Sequence, residues 1–202
     1  MIKTIIFDIG NVLVDYNWRA ALDTFPYSQE TKEAISTAMF LSPEWNEFDR
    51  GTYSTEEMLA LFIKNAPEYQ SEIESVFASI GRCIHQFEYA IPWICALKKE
   101  GLNVYVLSNY AEHMYNQTQD ELNFLKYTDG GILSFREKMV KPEPAIYRTL
   151  MERYGIEPDE AVFIDDYFEN VEDAKKLGLH GILFTSYEDT VEKLAELGVV
   201  TR

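Results

Sequence analysis

The chain has 202 residues, with 34 Asp or Glu against 18 Lys or Arg, a formal net charge of −16. That length buries a full core with room for a modest second module, and 47% apolar residues mark a globular chain rather than a disordered one. The acidic balance excludes general nucleic-acid binding, which draws on Lys and Arg to neutralise phosphates, and no apolar run reaches the length of a transmembrane helix.

Residues 2–8 read as the first strand. Ile5, Ile6 and Phe7 form a continuous apolar run, the mark of a strand covered on both faces of a parallel sheet. Asp8 follows where that strand ends, the edge at which open α/β sheets collect ligands. Gly10 and Asn11 let the backbone turn, and Val12, Leu13 and Val14 read as an extended segment leading away.

From Asn17 to about His85 the pattern is helical, with no strand. Ser54-Thr55-Glu56-Glu57 is a capping box ahead of Met58, Leu59, Leu61 and Phe62. Pro67 breaks that helix. Ile73, Val76, Phe77 and Ile80 mark another, closed by Gly81. The expected organisation is a helical cap over residues 17–85, inserted in a core built from residues 1–16 and 86–202.

Strands and helices then alternate. Pro92 opens a helix stopped by Gly101, and Asn103 to Leu107 is a strand ending in Ser108-Asn109. Ala111 to Leu125 reads as helix, Gly131 to Ser134 as a short strand or turn, and Pro144 to Tyr154 as helix. Ala161 to Ile164 is a buried strand ending in Asp165-Asp166. A helix over Val171 to Leu177, a strand over Gly181 to Phe184 and a last helix from Asp189 complete the chain. This alternation predicts a parallel, doubly wound sheet. Cys83 and Cys95 read as buried thiols, with no His or Cys cluster to suggest zinc. The N-terminus lacks the pattern of a signal peptide, so a reducing cytoplasm is the expected location.

Three strands therefore end in polar signatures: Asp8, Ser108-Asn109 and Asp165-Asp166. If they are parallel neighbours, these groups meet at one edge of the sheet. Lys141, aimed by Pro142, comes just before the helix at Pro144. Ser108-Asn109 also suits a helix cap, and a lone lysine suits a solvated surface. Two adjacent acids after a buried strand are harder to explain structurally, because like charges repel unless a cation separates them.

The order Asp8…Ser108…Lys141…Asp165-Asp166 resembles the haloacid dehalogenase-like hydrolase superfamily over almost the whole chain. The helical insertion is similar to the cap of its type-I members. Leu107-Ser108-Asn109, Lys141-Pro142-Glu143-Pro144-Ala145-Ile146-Tyr147 and Phe163-Ile164-Asp165-Asp166 resemble that subfamily's patterns. Phe7-Asp8-Ile9-Gly10-Asn11-Val12 and Trp45…Asp49-Arg50-Gly51 resemble the alpha-D-glucose-1-phosphate phosphatase-like branch, related to the phosphatase domain of soluble epoxide hydrolase. The resemblance implies an α/β, three-layer Rossmann-like parallel sheet with an inserted helical cap. It implies hydrolysis of a small phosphate ester through an aspartyl-phosphate on Asp8. Mg²⁺ would be held by Asp8, Asp166 and the Gly10 carbonyl, with Asp165 assisting. Lys141 would neutralise Asp8 and the phosphoryl oxygens, and Ser108 and the Asn109 backbone would donate to those oxygens. Monomer and homodimer both stay open.

One position departs from the commonest phosphatase pattern of that superfamily: Gly10 stands where a second aspartate acts as general acid/base. Asp15, His113 and a residue of the cap are the candidates to replace it, Asp15 otherwise reading as a helix cap and His113 as an exposed helix residue. Without a replacement, activated phosphates are expected to react better than primary-alcohol phosphates. The same gap suits a metal-independent haloacid dehalogenase, which would have little use for Asp165-Asp166, or a non-catalytic binding protein, which would have little use for the nucleophile and lysine. Trp18, Trp45, Phe48 and Arg50 are the candidate specificity residues of the cap, the aromatics reading more readily as cap core and Arg50 equally as a salt-bridge partner.

Overall fold

The computed structural model describes residues 1–200. Its strands, in chain order, are β1 (Thr4–Phe7), β2 (Val14–Tyr16), β3 (Ile84–Gln86), β4 (Asn103–Ser108), β5 (Gly130–Leu133), β6 (Ala161–Asp165) and β7 (His180–Leu183). Five of them form one parallel sheet in the order β5-β4-β1-β6-β7. β1 lies at the centre, and all four of its residues are buried. The chain builds outward from β1 through β4 to β5, then returns to the other side of β1 for β6. The order reverses between β1 and β6, so the crevice of a doubly wound sheet opens beside Asp8 and Asp165.

Successive residues of a strand face opposite ways, and the apolar core divides accordingly. On one face Ile5, Phe7, Val104, Val106, Val162 and Ile164 pack against α6 (Ala90–Lys99) and α11 (Tyr187–Glu196). Phe7 meets Trp93 of α6 edge-on at 4.6 Å between ring centroids. On the other face Ile6, Tyr105, Leu107 and Phe163 pack against α9 (Pro144–Tyr154) and α10 (Phe168–Lys176). β5 joins at close range: a Cβ on Gly131 would lie 2.4 Å from the Val106 carbonyl oxygen.

Between β2 and β3 run α1 (Trp18–Asp23), α2 (Gln29–Ala38), α3 (Glu44–Arg50), α4 (Thr55–Asn65) and α5 (Gln70–Phe77). Aromatic rings fill the space between them: Phe48 packs against Phe62 and Phe77 at 5.9 and 5.6 Å. The capping box at Ser54 and Glu57 is present with both reciprocal bonds. The two chain crossings are antiparallel partners, with Asp15 opposite His85.

Several local expectations need correction. The helix read from Ala111 to Leu125 is α7 (Glu112–Gln117), followed by a separate 3₁₀ turn over Asn123–Tyr127. Thr118 ends α7 because its hydroxyl bonds the Met114 carbonyl and the Tyr110 hydroxyl, offering the chain an alternative to continued helix. The extended reading of Val12 to Val14 holds only at Val14, since residues 11–13 turn back on Ile9. Asp15 is a strand residue, and Asn17 is the cap of α1. Cys83 is buried as expected, but Cys95 is exposed, because α6 turns Trp93, Ile94 and Leu97 inward and Cys95 outward. No described helix is long and apolar enough to cross a membrane.

Candidate active site

The strand ends do meet. Asp8, one residue past β1, and Asp165, the last of β6, lie on adjacent parallel strands and both turn to the lysine at 141. Lys141 Nζ stands 2.8 Å from Asp8 Oδ1 and 2.6 Å from Asp165 Oδ2, and its side chain is 1% exposed. Asp166 completes the group: one carboxylate oxygen from each of Asp8, Asp165 and Asp166 falls within 4.8 Å of the others.

The two acids of the pair are held differently. Asp165 is saturated. Its Oδ1 accepts from the Tyr167 N–H and Asn170 Nδ2, and its Oδ2 from Asn170 Nδ2 and Lys141 Nζ. Asp166 is exposed, and a single donor orients it, Asn11 Nδ2 at 2.9 Å from its Oδ2. Asn11 takes a left-handed φ of +54°, a conformation that asparagine tolerates better than most residues. Its Oδ1 also accepts from the Tyr16 N–H.

Lys141 is placed by Asn109. The Asn109 amide donates to the Lys141 carbonyl at 3.0 Å and accepts from the Lys141 N–H at 2.7 Å. Both its polar atoms are consumed in fixing that backbone. Ser108 is buried, and its hydroxyl makes only one long contact, 3.4 Å to the Asn109 carbonyl.

Three carboxylates around one ammonium leave net negative charge at an edge where Asp8, Asp165 and Lys141 are buried. Burial pushes the Asp8 carboxyl up to about 7; Lys141 opposes the rise, while Asp165 and Asp166 add to it. Burial also raises Asp166, against the bond from Asn11. Burial alone would lower Lys141, but Asp165 and Asp8 beside it outweigh this and hold its ammonium above the ordinary value. Asp8 Oδ1 is buried without a hydrogen-bond donor in acceptable alignment, since Lys141 lies near it but off-angle. An orphaned carboxylate oxygen in an all-oxygen cluster fits a hard divalent cation.

Above this edge lies a cavity of about 70 Å³, lined by Gly10, Tyr16, Asn109 and Tyr110 from below and by Trp45 and Asp49 of α3, from the helices between β2 and β3. Of the expected specificity residues, only Trp45 lines it. Phe48 is buried in the cap, and Trp18 stacks on Phe40 beside a separate surface groove. Arg50 turns from the cavity to Glu143 at the start of α9, in a bidentate pair at 3.0 and 2.7 Å. It belongs to a row of three contacts. The Asp49 carbonyl accepts from the buried Ser134 hydroxyl, and the Gly51 carbonyl accepts from Lys138 Nζ. Gly51 is left-handed at φ +68°, and a Cβ there would come within 3.1 Å of Phe135. From sequence, Asn11 reads only as a turn residue, and Asp49 and Glu143 only as members of motifs, with no site role; Ser134 carries no local signal.

A sesquiterpene phosphatase of Aspergillus oryzae is 26% identical over 195 residues, covering 96% of each chain. The bifunctional epoxide hydrolase 2 of Rattus norvegicus is 33% identical over 112 residues, but the match spans 52% of this chain and 19% of that enzyme. Among solved structures, a HAD family enzyme of Bacteroides thetaiotaomicron in complex with magnesium and inorganic phosphate superposes with a TM-score of 0.74 at 22% identity, over 94% of this chain and 99% of that one. The sequence model of the haloacid dehalogenase-like hydrolases matches residues 2–178, and the chain belongs to that family.

Proposed function

We propose that the protein hydrolyses small phosphate monoesters through an aspartyl-phosphate on Asp8, with Mg²⁺ as its resident ion. The observation that carries this is the buried Asp8 carboxylate, one oxygen without an aligned donor, within a cluster of three acids and one lysine. The name of the Aspergillus relative and the ions bound by the Bacteroides neighbour support the same reading. The acid pair argues against a metal-independent dehalogenase, for which Asp165 and Asp166 would be an unneeded electrostatic cost.

Asp8, Asp166 and the Gly10 carbonyl are the groups that would hold the ion. Asp165, its oxygens already filled, anchors Lys141 and would assist the ion, directly or through water. When bound, Mg²⁺ offsets the repulsion between an anionic nucleophile and a phosphate dianion.

The chain's own groups do the rest. A carboxylate oxygen of Asp8 forms a bond to phosphorus as the bond to the ester oxygen breaks, and the alcohol departs. Water then attacks the same phosphorus, releasing phosphate and returning the electron pair to Asp8. Dividing one displacement into two is the ordinary gain of covalent catalysis. Lys141 balances charge on Asp8 and the moving phosphoryl oxygens. The Ser108 hydroxyl, almost without internal partners, and the Asn109 N–H donate to those oxygens. Asn109 also keeps Lys141 in register through its side chain.

The test compares wild type and Asp8→Asn on a nitrophenyl phosphate, with Mg²⁺ and with excess chelator. The expected result is turnover only in wild type with Mg²⁺. Undiminished turnover under chelator, or in the variant, overturns the reading.

A further inference from the structure

Gly10 leaves no carboxyl two residues beyond Asp8, yet an alkoxide leaving group needs a proton. Two candidates from sequence are out of reach. Asp15 and Tyr16 are neighbours on β2, so they face opposite ways; Tyr16 lines the cavity and Asp15 a groove on the other side. His113 stacks on Phe77 at 4.4 Å, and its Nε2 is engaged with the Phe77 carbonyl and Gln117.

Asp49 is different. It lines the cavity together with Gly10. Its carboxylate has no hydrogen bond or ion pair among the described residues, although its backbone carbonyl is fixed by Ser134. The row of contacts through Asp49, Arg50 and Gly51 sets this one unpartnered carboxyl of α3 over the reaction edge. The other ionisable groups of the cavity wall are the Tyr16 and Tyr110 phenols, both raised by burial and so weaker acids than usual.

We propose that Asp49, delivered by the cap, is the general acid and base of this site. The inference rests on the phosphatase reading above. As Asp8 bonds to phosphorus and the ester P–O bond breaks, the departing oxygen takes the Asp49 proton. In the second step water bonds to phosphorus and the Asp8–phosphorus bond breaks. Its electron pair returns to Asp8, and the water's proton goes to Asp49, restoring the starting state. Burial pushes the Asp49 carboxyl up to about 7, with Asp8 adding to the rise and Lys141 opposing it. It thus keeps a proton to give near neutrality and can regain one, the condition for acid–base catalysis.

The experiment uses the full chain with Mg²⁺ and a panel of aryl and alkyl phosphate monoesters of graded leaving-group pKa. Asp49→Asn is expected to lower kcat/KM by about 10²–10⁴-fold for alkyl esters and far less for nitrophenyl phosphate, whose phenol departs unprotonated. Its kcat should fall for both, because water attack loses its base, and the phosphorylated form of Asp8 should accumulate by intact mass. An equal loss across the panel without phosphoprotein, or no loss, overturns the proposal. A second measurement needs no variant. Wild-type kcat/KM for an alkyl ester should decline as pH rises through the Asp49 transition while that for nitrophenyl phosphate does not. Identical profiles overturn the proposal. Survival of activity in Asp8→Asn overturns the phosphatase reading instead, so the two failures are distinct.

Discussion

Lys141 is wedged between two buried carboxylates, so it bears on stability as well as chemistry. Replacing it with Met keeps the bulk and strands two acids in a dry site. Removing one partner of a buried pair costs about 3–5 kcal/mol, so Lys141→Met should lose that much in urea unfolding together with its activity. Asp49 gives the opposite sign. Its carboxyl titrates near 7 in the fold against an ordinary 3.8. Between these values the folded chain holds a proton that the unfolded chain has released, so stability falls as pH rises through the window. The groups facing it, Asp8 and Lys141, partly cancel. Asp49→Asn removes the dependence; its Tm relative to wild type should climb from pH 4 to 7 and then level off. A constant difference across that range would contradict the assigned burial. At Gly10 a Cβ has space, its nearest neighbour being the Tyr16 Cβ at 4.0 Å. Gly10→Asp in the Asp49→Asn background should recover part of the alkyl-ester rate, measured as kcat/KM. At this scale sequence reading reaches residues with a local reason to be odd. Asp8, Lys141 and the acid pair interrupt or follow apolar runs. Asp49 stands in a recognisable motif, but nothing local gives it a role, and its environment comes from core elements far away in the chain; the Ser134 that holds its backbone is 85 positions on.

The end of α3 ties the helices between β2 and β3 to the sheet and α9. Arg50, which reads equally as a substrate contact or a salt-bridge partner, pairs with Glu143, 93 residues later. A substitution there should act on closure and so on every substrate alike. Arg50→Lys keeps the charge but loses the two-pronged geometry, and kcat/KM should drop by a similar factor for large and small esters. Trp45 lines the cavity, so Trp45→Leu should change the ranking of esters. A ranking change in the arginine variant, rather than the tryptophan variant, would reverse these assignments. Elements with long, regular patterns were legible: α9 has the bounds that Pro144 and Gly155 mark, and the buried strands stand out as apolar runs. Three-residue strands carry too little pattern to read, which hid β3. α7 ended early because one threonine hydroxyl competed for the backbone, an event that periodicity does not register.

At the scale of the whole molecule, the acidic cluster predicts a coupling between ion and fold. A cation that binds only the folded chain stabilises it by mass action, by about 2.7 kcal/mol at a hundred times its Kd. Mg²⁺ should therefore raise Tm, and Asp166→Asn should blunt the rise without removing Lys141's anchor at Asp165. An unchanged response in that variant would place the ion elsewhere. The doubly wound sheet was legible because alternation and buried runs constrain topology strongly. The closeness of cap and core was not, since it depends on pairs such as Ser134 with Asp49 that no local pattern announces. The pairing of β2 with β3 has a further meaning. Because Tyr16 and Ile84 are cross-strand partners, the chain leaves and re-enters the core at points about 5 Å apart. The sheet domain thus presents a socket. An insert whose two ends meet could be plugged in there without moving a strand, so the nucleophile and ion site would stay with the socket, while selectivity and the Asp49 proton would travel with the plug.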